Sequence, residues 1–131
     1  INQLSILPLG GGSNMVFEHA PPGLVIHNRL HGRKIIEENI NDLILEVAAG
    51  ESWPKLVEDC TRQGWYGLEN MALIPGSVGA APIQNIGAYG IELADVFDSL
   101  DYVDTRQHRP QHDLLQRYRL DKADCQFGYR D

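Results

Sequence analysis

Short apolar runs, separated by polar or turn-forming residues, recur along the chain and have the length of β-strands. They predict strands at residues 5–9, 24–27, 33–37, 43–49, 96–103, 118–120 and 125–129. Residues 39–42 supply turn chemistry, so the runs on either side of them form a predicted hairpin. Because short strands outnumber helical segments, the pattern favours an α+β fold over a doubly wound sheet.

One segment instead follows the period of a helix and begins after Ser52. Its apolar side chains recur at i, i+3, i+4 and i+7, which places them on one face: Trp53, Leu56, Val57 and Cys60. We expect the Ser52 hydroxyl to cap the first turn and Gly64 to end the helix as the C′ residue. The helix is therefore predicted to be structural, with its apolar face in the core.

Residues 67–92 form a run of small residues that carries charges only at Glu69 and Glu92. Prolines at two positions fix φ and divide the run into pieces. Its larger apolar residues are expected to be buried and to hold it rigid: Ile74, Val78, Ile83 and Ile86. Because glycine lets backbone approach a ligand closely, we interpret the run as rigid backbone against a flat ligand. A buried glycine-rich connection is the alternative.

A flat apolar ring with polar edges requires close backbone on one side and hydrogen-bond donors at its rim. Small residues that provide the backbone are Gly76, Gly79, Ala80 and Ala81. Side chains that provide rim donors are Ser77, Gln84 and Asn85. The chain then turns at Gly87, Ala88, Tyr89 and Gly90, and we predict Tyr89 as a wall of the site.

A second glycine-rich segment follows the first predicted strand and consists of Gly10, Gly11, Gly12, Ser13 and Asn14. Successive backbone amides without side chains form a concave nest for an anion, and the hydroxyl and side-chain amide add donors. An apolar run at residues 15–17 predicts that a second strand follows, whereas the dinucleotide fingerprint GxGxxG requires a helix. A plain glycine-rich turn is equally compatible with this pattern.

Composition narrows the partners of a chain that, at 131 residues, is long enough for one domain. The net charge of −7 argues against a nucleic acid, whose phosphates require a basic face. No apolar run approaches the roughly 20 residues that cross a bilayer, so no membrane partner is predicted. Cys60 and Cys125 belong to no CxxC unit, which favours reduced thiols over a disulfide. No metal site is predicted, because Pro110 separates His108 from His112.

Three blocks together resemble the UDP-N-acetylenolpyruvoylglucosamine reductases, which are bacterial flavoenzymes of cell-wall synthesis. The blocks are LPLGGGSNMVF at residues 7–17, PGSVGAAPIQNIGAYG at 75–90 and CQFGYRD at 125–131. The resemblance implies that residues 1–131 are part of an FAD-binding domain of the vanillyl-alcohol-oxidase or p-cresol methylhydroxylase (PCMH) type, an α+β fold. Since the chain starts at Ile1 without methionine, we expect an excised piece whose parent adds an N-terminal part and a C-terminal substrate domain.

The resemblance also implies roles for these blocks. The GGGSN loop would receive the FAD pyrophosphate, and the segment from Pro75 to Tyr89 would lie along FAD. Arg130 would be a catalytic residue that stabilises an enolate-like intermediate, with Tyr129 lining the same cleft. NADPH would reduce FAD, and hydride would pass to UDP-N-acetylglucosamine enolpyruvate to give UDP-N-acetylmuramate in the bacterial cytoplasm. The proton donor would lie outside this chain, so the fragment alone is expected to be inactive.

Two alternatives stay open. Another PCMH-type FAD oxidoreductase would share these motifs, although residues 68–90 contain no histidine or cysteine for covalent flavin attachment. A non-enzymatic module that binds a small anion through GGGSN would need no redox chemistry. Uptake of flavin by the protein distinguishes the second alternative from the other readings.

Overall fold

The computed structural model describes residues 4–105 and 116–128. Tyr129, Arg130 and the pair His108 and His112 lie outside these ranges. The strands are β1 Ile6–Leu9, β2 Leu24–His27, β3 Arg33–Glu38, β4 Leu43–Val47, β5 Gly87–Ala88, β6 Ile91–Glu92, β7 Ser99–Val103 and β8 Arg117–Asp121. The α-helices are α1 Trp53–Arg62, α2 Ala81–Gln84 and α3 Leu93–Val96, and 3₁₀ turns cover Glu69–Met71, Val78–Ala80 and Lys122–Cys125.

The described strands pair into two-stranded ribbons. β1 and β2 are parallel, whereas β3–β4, β5–β6 and β7–β8 are antiparallel. The predicted hairpin is confirmed, and its turn forms because the Asn39 side-chain oxygen accepts hydrogen bonds from the amides of Asn41 and Asp42, both at 2.9 Å. Strands at 24–27 and around 118–120 are confirmed too, so strands and helices mix as the α+β prediction requires.

The core lies under the apolar face of α1, which is buried as its period predicts. The Trp53 indole nitrogen donates to the Met71 carbonyl at 3.0 Å, which joins the helix to the glycine-rich run. The buried hydrophobic residues are Trp53, Leu56, Val57, Cys60, Met71, Ala81 and Leu93. Gly64 has φ +76° and follows the C-cap Gln63, as the C′ prediction requires.

The Ser52 prediction is wrong in its chemistry, although the position is right. Ser52 is the N-cap of α1, but within the described residues its hydroxyl forms no cap hydrogen bond. The first turn leaves little to cap, because the Trp53 amide donates to the Gly76 carbonyl at 3.0 Å and Pro54 has no amide hydrogen. Ser52 instead lies opposite Ser77 in an isolated antiparallel bridge.

Two strand predictions fail or shift because local hydrogen bonds favour other conformations. The strand predicted at 96–103 begins only at Ser99, since Glu92 and Asp95 form a capping box that starts α3. The strand predicted from Cys125 is absent from the described residues, where Lys122–Cys125 is a 3₁₀ turn ended by Gln126 at φ +49°.

Two apolar predictions are also wrong. Residues 15–17 form no strand, and Val16 is 92% exposed, so the strand after GGGSN is β2 instead. Ile83 is 83% exposed rather than buried, whereas Ile74, Val78 and Ile86 pack against the core as expected. Both cysteines are free, and Cys60 is buried. No helix in the part of the chain that the structure describes is long and apolar enough to cross a membrane.

Candidate functional site

The two glycine-rich segments, distant in sequence, pack directly against each other. A Cβ added at Gly10 would overlap the Ser77 Oγ, and one added at Gly11 would lie 3.5 Å from the Gly76 Cα. A Cβ at Gly76 would in turn lie 3.3 Å from the Ser13 Oγ. The absence of side chains on both segments therefore permits the contact between the loop after β1 and the loop before the Val78–Ala80 turn.

Hydrogen bonds to the turn before α1 fix the second segment in place. The Val78 amide donates to the Glu51 carbonyl, and the Gly79 amide donates to the Ala49 carbonyl, both at 2.9 Å. A Cβ at Gly79 would lie 2.6 Å from the Ala49 Cβ, so only glycine allows this approach. The segment is consequently a rigid extension of the helix start.

An open cavity of about 290 Å³ lies where these elements meet. It is lined by Gly11, His27, Asn28, Arg29, His31, Gly50, Ser52, Gly76 and Ser77. The lining residues come from the GGGSN loop, the end of β2 and the segment after it, the start of α1 and residues 75–77, the PGS turn. The topology explains the meeting, because parallel β1 and β2 end side by side at Leu9 and His27.

The cavity suits an anion despite the acidic composition of the whole chain. Within the described residues, the amides of 10–14 donate no hydrogen bond, and neither does the Ser77 hydroxyl. Arg29, His27 and His31 are the basic side chains of the lining, and His31 lies 3.7 Å from the Glu51 carboxylate. The N-terminus of α1 adds a positive dipole end, and its first turn contains no acidic residue. Unpaired amides, an arginine and a helix N-terminus together favour binding of a phosphate-type group.

A network of charged side chains stabilises the turn before α1. Glu51 accepts a hydrogen bond from the Gly32 amide at 2.9 Å and binds Arg33 at 3.1 Å, while Arg33 also binds Asp59 at 2.7 Å. The Gly32 hydrogen bond, followed by Arg33, lowers the pKa of the Glu51 carboxyl from 4.5. The Arg33 hydrogen bond lowers the pKa of Asp59 from 3.8. The network holds the hairpin β3–β4 against the start of α1.

A larger open cavity of about 670 Å³ lies between β3 and α1. Its lining includes none of the predicted site residues, and both of its arginines already have partners. Arg33 is bound as described, and Arg62 pairs with Glu58 on the helix surface. Burial raises the pKa of the Cys60 thiol there, which keeps it protonated. This cavity is less suited to an anion than the smaller one.

The predicted site residues do not all gather at the cavity. Gly11, Gly76 and Ser77 line it, whereas Ala81 belongs to the buried core, with 3% of its surface exposed. Gln84 and Tyr89 are exposed. Gly87 and Ala88 form β5, where a Cβ at Gly87 would lie 2.7 Å from the Ile91 carbonyl oxygen. The remaining predicted residues do not line the cavity but lie within three positions of a lining residue in the sequence: Gly10, Gly12, Ser13, Asn14, Pro75, Gly79 and Ala80.

The side chain of Asn85, which was predicted as a rim donor, forms hydrogen bonds within the protein instead. Its side-chain nitrogen donates to the Glu92 carboxylate at 2.8 Å and to the Gly128 carbonyl at 3.2 Å. Its side-chain oxygen accepts from the Ala94 amide at 3.1 Å. Because an amide nitrogen carries two hydrogens, the side chain has no donor left for a ligand.

Sequence reasoning missed the lining residues at the end of β2 and directly after it, namely His27, Asn28, Arg29 and His31. A signal was available, since parallel strands end at the same edge and the first of them ends at the glycine-rich loop. The parallel pairing itself cannot be read from the chain. Gly50 was missed as well. A Cβ there would lie 2.5 Å from the Leu30 amide nitrogen, a close approach that only the structure reveals.

Comparison with known proteins identifies related chains. A family described as "FAD binding domain" matches residues 1–107. UDP-N-acetylenolpyruvoylglucosamine reductase of Shewanella baltica is 49% identical over 129 residues, covering 98% of this chain and 36% of the relative. The enzyme of the same name from Vibrio parahaemolyticus is 49% identical over 123 residues, covering 94% and 33%. The chain thus spans about a third of the length of these relatives.

A solved structure agrees with the sequence relatives. UDP-N-acetylenolpyruvylglucosamine reductase (MurB) from Thermus caldophilus superposes with a TM-score of 0.68 at 25% identity, covering 98% of this chain and 43% of that one. The predicted resemblance and the α+β, PCMH-type fold class are confirmed.

Proposed function

This chain belongs to the FAD binding domain family, and on that premise we propose that it is the flavin-binding part of a bacterial reductase. The proposed enzyme uses NADPH to convert UDP-N-acetylglucosamine enolpyruvate to UDP-N-acetylmuramate in peptidoglycan synthesis, in the cytoplasm. The names of the relatives at 44–49% identity support the reaction. The cofactor is FAD, in keeping with the family.

The observation that carries the proposal is the cavity where the GGGSN loop meets the PGS turn. A dinucleotide has a diphosphate, which needs several donors at once in a place where backbone can approach closely. The unpaired amides of residues 10–14 and the Ser77 hydroxyl supply such donors. Arg29 and the start of α1 supply positive potential. We place the diphosphate of FAD at this cavity.

The remaining predicted roles follow as proposals. The backbone from Pro75 to Ala80, with Gln84, Gly87, Ala88 and Tyr89 beyond it, would line the flavin side of the cofactor. When bound, FAD carries hydride from NADPH to the substrate. Arg130 would hold negative charge that develops on the substrate, because a guanidinium stays protonated and binds oxyanions through its planar fork. Tyr129 would line the same cleft.

A matched pair of glycine substitutions tests the placement of the diphosphate. Gly12 and Gly64 have similar backbone conformations, φ +71° and φ +76°, and a Cβ at either would meet nothing within 4 Å. Alanine therefore imposes a similar left-handed strain of about 1–2 kcal/mol at both positions. Only Gly12 lies in the proposed anion loop. In the full-length protein, we expect Gly12→Ala to weaken FAD binding at least about tenfold, or ~1.4 kcal/mol, and Gly64→Ala to leave it unchanged.

FAD titration followed by visible absorbance gives the affinity, and thermal unfolding of the apoprotein gives the stability of each variant. Equal FAD affinity in both variants would show that GGGSN is only a structural turn. A full-length wild-type protein that takes up no flavin would instead favour the non-enzymatic anion-binding module.

A further inference from the structure

Asn85 occupies a junction between three segments that are separate in sequence. Its backbone is left-handed, with φ 40° and ψ 57°, and caps the C-terminus of α2. From there the side chain reaches the Glu92 carboxylate, the Ala94 amide and the Gly128 carbonyl. One side chain thus joins the end of α2 to the start of α3 and to the last described residues.

Among the described residues, two further contacts hold residues 122–128. The Phe127 ring packs edge-on against Phe97, with centroids 5.0 Å apart and planes at 80°. The Lys122 amide donates to the Asp98 carbonyl at 2.9 Å. The Asn85 bond to the Gly128 carbonyl is the hydrogen bond nearest in sequence to Tyr129 and Arg130 within the described part of the chain.

We propose that Asn85 is a positioning residue that fixes the main chain at Gly128, two residues before Arg130 in the sequence, relative to residues 75–89, the run proposed to line the flavin. The inference rests on the proposed function, since it assumes that Arg130 acts on the substrate. Its physical basis is that a buried or half-buried amide with every donor satisfied holds its partners rigidly. Displacement of a reacting group by about 1 Å lowers rates as much as ~10²-fold.

Two substitutions distinguish the effect of the Asn85 side-chain hydrogen bonds from that of its left-handed backbone conformation. Asn85→Gly keeps a residue that tolerates left-handed φ and removes all three side-chain hydrogen bonds. Asn85→Asp has the same shape and can still accept from Ala94, but it loses both donors and places a second carboxylate beside Glu92. Asn39→Gly is the control, because Asn39 also holds a turn through its side-chain oxygen, in the remote β3–β4 hairpin.

Stopped-flow absorbance of the full-length holoenzyme measures flavin reduction by NADPH and reoxidation by the enolpyruvyl substrate separately. In both Asn85 variants we expect FAD affinity and flavin reduction to change less than about threefold, and reoxidation to slow by about 10- to 100-fold. In Asn39→Gly, we expect both half-reactions to match wild type.

Several results would overturn the inference: an equal slowing of both half-reactions, loss of FAD, wild-type kinetics, or failure of both Asn85 variants to fold. The first, second and fourth would make Asn85 a structural residue of the cofactor domain. Failure of the wild-type enzyme itself to be reoxidised by this substrate would refute the proposed function, and with it the premise of the inference.

Discussion

The amides of residues 10–14 donate no hydrogen bond within the described part of the chain, whereas those of residues 78–80 are all engaged. Gly11 has room for a Cβ, with the nearest atom 3.5 Å away, while a Cβ at Gly79 would lie 2.6 Å from another Cβ. The first segment lines the cavity through Gly11, and the second directly follows Gly76 and Ser77, which line it too. Glycine leaves donors open for a ligand in the first segment and lets two backbones pack in the second.

The difference shows that glycine density alone does not identify a ligand contact. We expect the ligand-binding segment to be the one whose donors have no partner among the described residues, because an amide that is already paired gains little from a ligand. The second segment contributes indirectly. It presents Gly76 and Ser77 to the cavity on a support that the turn before α1 makes rigid.

The largest effect should be the difference in stability between adding one methyl group to the second segment and adding one to the first. Gly79→Ala forces a Cβ against Ala49, and we expect a loss of about 1–3 kcal/mol in the free energy of unfolding. Gly11→Ala makes only an ordinary contact, so its stability should change by less than about 0.5 kcal/mol. Denaturant unfolding of the full-length apoprotein measures both.

FAD titration of the same two variants provides the second half of this comparison. Per folded molecule, Gly11→Ala should weaken FAD binding more than Gly79→Ala does, because Gly11 lines the cavity proposed for the diphosphate and Gly79 does not. The reverse order of affinities would mean that the ligand lies along residues 78–80, and that the unpaired amides of the GGGSN loop face water only.

Local sequence patterns predicted the parts of the fold that local forces determine. The period of Trp53, Leu56, Val57 and Cys60 specifies the buried face of α1, and the turn chemistry of residues 39–42 specifies a hairpin. These features depend on side chains a few positions apart.

Long-range contacts explain what sequence reasoning missed. The packing of Gly10 on Ser77 and the bonds of Asn85 to Glu92 and Gly128 join segments that have no common local pattern. Asn85 was predicted as a ligand donor because its amide is polar, but its hydrogens are used inside the protein. Arg29 was missed because strand pairing, rather than the chain, brings it beside the glycine loop.

A smaller effect should measure the contact between the two segments directly. Gly10→Ala places a methyl group on the Ser77 Oγ, and Ser77→Ala removes that oxygen and leaves an ordinary contact with its Cβ at 3.6 Å. The double variant should therefore recover about 1 kcal/mol relative to the sum of the single variants. Thermal or denaturant unfolding of the four proteins gives the coupling energy.

Ser13→Ala is the matched control for this cycle. The Ser13 hydroxyl approaches Gly76 rather than Gly10, so its removal should rescue nothing when combined with Gly10→Ala. Equal rescue by both serine substitutions would mean that the loop shifts as a whole and that the Gly10–Ser77 contact is not specific.

The smallest effect concerns the charge that supports the second segment. The Glu51 carbonyl accepts the Val78 amide, and its carboxylate accepts the Gly32 amide and binds Arg33, which lowers the carboxyl pKa from 4.5. A carboxyl whose pKa is lower in the folded state stabilises the fold fully above its unfolded pKa, and this contribution is lost as the pH falls through the folded pKa. Glu51→Gln keeps an oxygen for Gly32 but removes the charge. We therefore expect wild type to exceed this variant in unfolding midpoint near pH ~7, and the difference to shrink steadily below about pH 4.5.

Glu58→Gln, which removes a carboxylate from the exposed pair with Arg62, should change the midpoint little at any pH. A Glu51→Gln difference that stays constant down to about pH 3 would show that the Gly32 hydrogen bond, and not the carboxylate charge, supports the turn.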